Sequence, residues 1–321
     1  MQTILVTGCA GFIGSHVCEN LLHLGNKVIG IDNFDDFYSK DVKLKNLATC
    51  QEHANFEFHQ LDISEKKNFK QINGSIDAVI HLAAKAGVLP SLKDPASYIN
   101  SNILGTNHLL DFMVEKGISK LLFASSSSVY GNNTKIPFAE TDEVNGPISP
   151  YAFTKRSCEL MNYSYHDLYN IDIVNMRFFT VYGPRQRPDL AIHKFFKLIA
   201  AGEPIQMYGD GSTARDYTFV ADTVSGITKA LNYVNEHENV FEIVNLGNHS
   251  PVSLKELIAE IYAINGVEPN IVQQDMQPGD VNITYADISR AKELFDYNPQ
   301  TKLVDGLAKF KTWFQQEYGK A

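Results

Sequence analysis

Short apolar runs alternate with amphipathic stretches through the first half of the chain. ILVTG (4–8) reads as a buried strand, and FIGSHVCENLLHLG (12–25) as a helix stopped by glycine. KVIGID (27–32), FEFHQLDI (56–63), AVIHLAA (78–84), LLFASSS (121–127) and IVNMRF (173–178) continue as strands. Helical periodicity lies between them, most plainly at 102–117 and 151–170. This alternation predicts an α/β protein with a Rossmann-type, doubly wound parallel sheet. Beyond residue 178 the texture changes. TVYGPRQRPD (180–189) and DGSTARDYTF (210–219) are rich in turn formers and arginine, followed by a helix–strand pair at 222–235 and 242–246 and by helical patterns at 254–267 and 289–296. The reading divides the chain into a nucleotide-binding domain, 1–178, and a smaller α/β substrate domain made mainly of 179–321. The stretch 220–246 is expected to return to the first sheet.

Composition narrows the classes. With 321 residues, 44% hydrophobic and 20% charged, the chain has material for a substantial core. A net charge of -9 repels phosphate backbones, which argues against nucleic-acid partners while permitting a local basic pocket. Cys9, Cys18, Cys50 and Cys158 show no C-x-x-C spacing and read as reduced thiols. No basic segment precedes a long apolar run at the N-terminus, and no apolar run approaches the ~20 residues that span a bilayer. The expectation is a cytoplasmic protein without a membrane partner. The ten histidines are scattered without ligand spacing, so no metal site is expected, and His81 reads as structural.

Gly8, Gly11 and Gly14 form G-x-x-G-x-x-G between the first strand and the first helix. Glycines let the backbone turn tightly and approach a pyrophosphate, and the helix start offers free N–H groups. Asp32 ends the second strand 18 residues after Gly14. A carboxylate there accepts both hydroxyls of an adenosine ribose and repels a 2′-phosphate, which favours NAD over NADP. Asp62 either reaches the adenine amino group or is a solvated loop residue. Leu82, Ala83 and Ala84 put small side chains where a cofactor passes closely. Phe12, Ile13, Asn33 and Ile63 complete the expected cofactor contacts.

Tyr151 and Lys155 stand at i and i+4, on one helix face. A nearby ammonium and the nicotinamide charge favour a phenolate, which can take a hydroxyl proton. Ser126, 25 residues before Tyr151 and just after a strand, can relay that proton or hold the substrate oxygen.

The strings VTGCAGFIGSH, HLAA, ASSSSVYG, SPYAFTK, RFFTVYGPR, GDGSTARDYTFV, NLGN and QPGDVNITYAD occur in family order from residue 5 to 287. The chain resembles the extended short-chain dehydrogenase/reductases, specifically the nucleotide-sugar epimerases and dehydratases. The resemblance implies tightly held NAD, a UDP-sugar substrate and a homodimer built through a four-helix bundle. It implies Tyr151 as base, Lys155 as ribose ligand and Ser126 as partner of the sugar 4-hydroxyl. Arg215 would meet the pyrophosphate, or else pair with Asp210 or Asp216. Tyr208 would lie near the uracil, or else pack in the core. Asp280, in the last of these strings, joins the substrate candidates.

Arg177-Phe178-Phe179-Thr180, with VYGPRQRPD after it, resembles the subgroup that acts on UDP-glucuronate. A uronic acid carries a carboxylate to which Ser127, Ser128 and Thr180 can donate, with Arg185 or Arg187 adding charge. The subgroup usually has G-V-R where this chain has Gly87-Val88-Leu89, so either Lys85 or Arg185 compensates for the missing cation or the preferred sugar is another. The expected reaction is C4 inversion through a 4-keto sugar, of UDP-glucuronate first. UDP-glucose or UDP-N-acetylglucosamine epimerisation, UDP-glucuronate decarboxylation and catalytically silent NAD sensing are the alternatives.

Overall fold

A computed structural model describes residues 1–275 and 282–319. Seven strands form one parallel sheet: β1 (Thr3–Thr7), β2 (Lys27–Asp32), β3 (Phe56–Gln60), β4 (Ala78–His81), β5 (Lys120–Ser126), β6 (Asp172–Phe178) and, after three strands outside it, Phe241–Leu246. The three outside are β7 (Thr180–Tyr182), β8 (Ile205–Tyr208) and β9 (Ala214–Phe219), so Phe241–Leu246 is β10. The sheet order β10-β6-β5-β4-β1-β2-β3 reverses direction between β1 and β4. That reversal opens a crevice at the C-terminal strand ends, the usual ligand position in a doubly wound fold.

The sequence builds this sheet because its strands are apolar on both faces. On β1, Ile4 and Val6 join a core that also holds Val17 and Leu21 of the Phe12–His23 helix and Ile227 of the Val220–Glu236 helix. Leu5 faces the other way and packs with Leu109 and Met113 of the Gly105–Lys116 helix. The Val220–Glu236 helix and β10 extend the sheet beyond β6, with Phe241 opposite Ile173 and Leu246 opposite Phe178.

Outside this sheet, β9 lies between β7 and a short strand β11 (Pro251–Ser253), and β8 pairs with β12 (Ile271–Gln274). Three further helices, Ala191–Ala200, Leu254–Asn265 and Leu303–Tyr318, enclose Phe196, Leu257, Ile261, Phe310 and Phe314. Ser253 and Glu256 close a reciprocal capping box at the start of the Leu254–Asn265 helix. Two sequence readings change in detail. The helix expected at 102–117 begins earlier, as Pro95–Tyr98, and passes through a π-helical turn, Ile99–Leu104, before Gly105–Lys116. The turn-rich 180–189 starts with a strand, because Val181 and Tyr182 are buried against β9. Among the described residues no helix is long and apolar enough to cross a membrane.

His81 shows how the core tolerates a titratable group. Its Nδ1 is 2.6 Å from the Thr7 hydroxyl and its Nε2 is 3.0 Å from that of Thr106. Thr106 spends its own proton on the Asn102 carbonyl, so the neutral ring donates from Nε2 and accepts at Nδ1. Burial, with Lys155 nearby, lowers its pKa to about 3. The unfolded chain binds this proton below about pH 6.5 and the folded chain does not. Stability from His81 is therefore complete above that pH and declines as pH falls toward 3. Urea midpoints measured from pH 7.5 to 4 should fall with pH, and more gently in His81→Gln; equal slopes would contradict the assignment.

Candidate functional site

The glycine loop links β1 to the Phe12–His23 helix. Gly8 adopts φ +73°, and a Cβ there would stand 2.7 Å from the Ala83 amide nitrogen. A Cβ on Gly14 would stand 2.1 Å from the Gly8 carbonyl oxygen. Larger residues would force this loop apart. The helix start at Gly11 has no side-chain cap and no acidic residue in its first turn, so neither device neutralises its amides.

Asp32, at the end of β2, accepts from the amides of Ala10 (3.1 Å) and Phe34 (2.8 Å). Each oxygen keeps a further lone pair for a hydroxyl. Burial raises its pKa, against the Phe34 amide and the Lys43 charge. Asn33 donates to Asp62 over 2.9 Å, while Ser64 donates to Asp62 from both its amide and hydroxyl. Burial pushes Asp62 up, but those hydrogen bonds outweigh it and leave its pKa low.

One cleft of about 620 Å³ runs from this loop to the end of β5. Gly8, Gly11, Phe12, Ile13, Gly14, Asp32, Asn33, Asp62, Ile63, Leu82, Ala83 and Ala84 all line it. So do Ser126, Ser127, Ser128, Tyr151, Lys155, Thr180 and Arg215.

Tyr151 and Lys155 sit on the Pro150–Tyr169 helix, capped by Ser149, whose hydroxyl accepts from the Ala152 amide over 3.1 Å. The Tyr151 phenol lies near enough to Ser126 for that hydroxyl to favour its ionised form, and the Ser126 hydroxyl accepts from the amide (3.2 Å) and hydroxyl (2.9 Å) of Ser128. Burial raises the Tyr151 pKa, opposed by the Ser126 hydrogen bond and the Arg187 charge. Lys155 Nζ donates to the Ala124 carbonyl over 2.7 Å and lies 5.0 Å from the Phe123 ring centroid. Burial brings its pKa down to about 8. The expected help from Lys155 and the nicotinamide charge is joined by a cation that the spacing did not suggest, Arg187. Burial of the phenol dominates here, and the resolved cationic help comes from Arg187.

Two substrate candidates fall elsewhere. Arg185 is not on the cleft wall: its guanidinium donates to Glu19 of the first helix over 2.7 Å. Arg187, two residues on, lines the cleft instead, held by Asp189 through two hydrogen bonds of 2.9 and 2.8 Å. Tyr208 is also off the wall, donating to Gln206 over 3.3 Å from the β8–β12 pair. Asp280 lies outside the described residues. Sequence reasoning passed over Lys43, Phe37 and Tyr38, which line the cleft from the segment after β2. Lys43 Nζ donates to the Asp35 carbonyl and lies 4.7 Å from the Tyr38 ring centroid. The D-x-x-x-x-x-Y…K spacing after Asp32 was the available signal. Leu89 is on the cleft and half-exposed, with no cation in its place.

A doubly wound sheet, a glycine-cradled helix start with an acid at the end of β2, and a tyrosine–serine pair beside a buried lysine define a nucleotide-binding protein of the short-chain dehydrogenase/reductase class. Known proteins agree. The family model described as GDP-mannose 4,6 dehydratase matches residues 5–310. A UDP-glucuronate 4-epimerase of Thermodesulfobacterium geofontis is 42% identical over 319 residues, covering 98% of this chain and 97% of its own. The structure of UDP-glucuronic acid 4-epimerase from Bacillus cereus, in complex with UDP-glucuronic acid and NAD, superposes with a TM-score of 0.91 at 36% identity, covering 98% of this chain and all of that one. UDP-N-acetylglucosamine 4-epimerase from Methanobrevibacter ruminantium, in complex with UDP-N-acetylmuramic acid, gives 0.90 at 31% identity, covering 98% of this chain and 99% of that one. The chain belongs to the nucleotide-sugar epimerase/dehydratase family of extended short-chain dehydrogenase/reductases.

Proposed function

We propose that the protein is an NAD-dependent UDP-sugar 4-epimerase and that its preferred substrate is UDP-glucuronate, inverted at C4 to UDP-galacturonate. The observation that carries this reading is the placement of Tyr151, Lys155 and Ser126 together on a cleft that also holds Ser127, Ser128, Thr180 and Arg187. The dinucleotide belongs to 1–178 with 220–246, and the nucleotide sugar mainly to the rest of 179–321. NAD is the cofactor. The uncapped helix start suits its pyrophosphate, Asp32 its adenosine ribose and Lys155 its second ribose. When bound, NAD accepts hydride from sugar C4 and returns it to the opposite face.

The chain's own residues do the rest. Tyr151 takes the C4 hydroxyl proton, with Ser126 holding the same oxygen, and gives the proton back after the sugar has turned over. Arg215 meets the pyrophosphate, for which a permanently charged, bidentate side chain is suited. Hydroxyls of Ser127 and Thr180 hold the sugar carboxylate, joined by Ser128 once its proton turns away from Ser126, with Arg187 in place of Arg185 as the cation. A 4-keto uronate is a β-keto acid and loses CO2 readily. Donors that stabilise the carboxylate charge, which departing CO2 does not keep, protect it. The serines at 126–128 offer no carboxylic acid for eliminating water, which separates this reading from a dehydratase. Leu89 favours a second reading, an uncharged UDP-glucose or UDP-N-acetylglucosamine substrate, because the cleft lacks a cation there. The Tyr151–Ser126 contact disfavours a silent NAD sensor.

A homodimer belongs to the proposal, supported by exposed Phe153, Leu160, Tyr163 and Leu168 on the Pro150–Tyr169 helix and Leu104 and Val114 before it. Sedimentation velocity should give a two-chain species; a monomer at micromolar concentration would overturn this part. A cytoplasmic location goes with the four free, buried cysteines.

Incubated with UDP-glucuronate and no added NAD, the protein should yield UDP-galacturonate by NMR. A pentose product, or turnover restricted to UDP-glucose or UDP-N-acetylglucosamine, would sink the uronate assignment. Tyr151→Phe should lower kcat about 10³-fold, the scale of general acid–base catalysis, while retaining NAD.

A further inference from the structure

Behind the cleft lies a buried ion pair, Glu159 and Arg177, whose members do not line the cleft and which reaches its wall through Ser125. Arg177 on β6 grips Glu159 with two hydrogen bonds of 2.9 Å each, from Nε to Oε1 and from Nη2 to Oε2. The two side chains are 1% and 0% exposed. Glu159 also accepts from the Ser125 hydroxyl over 2.6 Å and from Arg156 over 3.1 Å. The remaining Arg177 nitrogen, Nη1, donates to the Tyr130 hydroxyl over 3.1 Å, and Tyr130 donates to Asn245 on β10 over 2.7 Å.

The placement of these partners gives the cluster a function. Ser125 immediately precedes Ser126, and Tyr130 closes the Ser127–Tyr130 turn that follows it. Both flanks of Ser126 are thus tied to one ion pair. Glu159 stands four residues beyond Lys155 and eight beyond Tyr151, on the same helix face. The pair therefore couples the helix that carries Tyr151 to the strand end that carries Ser126. A helix resting only on apolar contacts can rotate or slide by a fraction of an ångström at small cost. A bidentate fork in a dry interior cannot, because any slip leaves a buried charge without partners.

We propose that the Glu159–Arg177 pair, with Ser125, is a positioning element that sets the Tyr151–Ser126 contact and acts on proton transfer rather than on substrate affinity. It rests on the epimerase reading for its effect on turnover, but its effect on the phenol does not need that reading. Ser126 stabilises the Tyr151 phenolate by hydrogen bonding. Loosening the pair should weaken that bond and move the Tyr151 titration upward. The other charged or titratable groups around Tyr151 are Arg187 from the 183–190 loop, Tyr98 from the Pro95–Tyr98 helix and Lys155 on its own helix. None of them contacts Glu159 by hydrogen bond, but Lys155 feels its charge, so Ser125→Ala, which leaves every charge in place, is the variant that isolates positioning.

The test uses NAD-retaining holoenzyme labelled with [13Cζ]tyrosine, the Tyr151 resonance being assigned by its loss in Tyr151→Phe. Ser125→Ala removes one donor and leaves the ion pair intact. Glu159→Gln removes the charge; if it fails to fold, Ser125→Ala and Arg177→Lys carry the test. In folded variants the Tyr151 midpoint should rise by several tenths of a pH unit in Ser125→Ala and about one unit in Glu159→Gln, an ordinary hydrogen-bond-scale shift. kcat should fall about 10²-fold in Glu159→Gln, the penalty for sub-ångström to ångström misplacement, with KM within about threefold. Folded variants with an unshifted midpoint, or a loss seen in KM alone, would overturn the proposal. If the wild type turns over no UDP-sugar, the epimerase reading falls and the titration alone decides the positioning role.

Discussion

The Glu159–Arg177 ion pair is the contact on which the geometry of the cleft rests. Desolvating two charges costs several kcal/mol each, so such a pair persists only when nearly every donor and acceptor is used. Here the carboxylate accepts from Arg177, Ser125 and Arg156, and the guanidinium reaches on to Tyr130. Burial raises the Glu159 pKa, but these partners outweigh it and hold it below the usual carboxylate range. Strands β5, β6 and β10 and the Pro150–Tyr169 helix meet at this one cluster. Everything at the β5 end of the cleft hangs from that junction.

The other end of the cleft depends on a different economy. The glycine loop brings the backbone so close to itself that side chains are excluded, and it leaves the helix amides free. Asp32 then fixes which dinucleotide fits, through charge rather than shape. The two ends are interdependent in the proposed reaction. Burial makes Tyr151 a poor base in the protein alone. The positive charge of oxidised nicotinamide is the missing influence, so the proposed proton step is matched to the cofactor's oxidised form.

Much of this was legible in the sequence, for reasons that can be named. The central strands β1 and β4 carry apolar runs because both of their faces are covered, and such runs are legible without knowing which way each side chain points. The glycine loop, Asp32, Tyr151 and Lys155 obey local spacing along single elements. What failed depended on contacts between distant segments. Arg185 and Arg187 are indistinguishable by composition, and only the packing of 183–190 turns the first toward Glu19 and the second toward the cleft. Tyr208 was read from its neighbours G-D-G, yet its strand pairs with β12, away from the cleft wall. A lysine on a polar, lysine-rich helix reads as solvated, and Lys43 is buried only because Asp32, Asp35 and Tyr38 surround it. Arg177 was read as a family marker, and its burial against Glu159 could not be seen from a separation of 18 residues.

The central claim is a closed cycle in which hydride leaves C4 and returns to C4 of the same sugar on a cofactor that never departs. UDP-glucuronate deuterated at C4, incubated with purified protein and a large excess of unlabelled NAD and NADH in solution, tests it directly. The account predicts UDP-galacturonate that keeps its deuterium at C4. Product with hydrogen at C4, or deuterium recovered in free NADH, would contradict it.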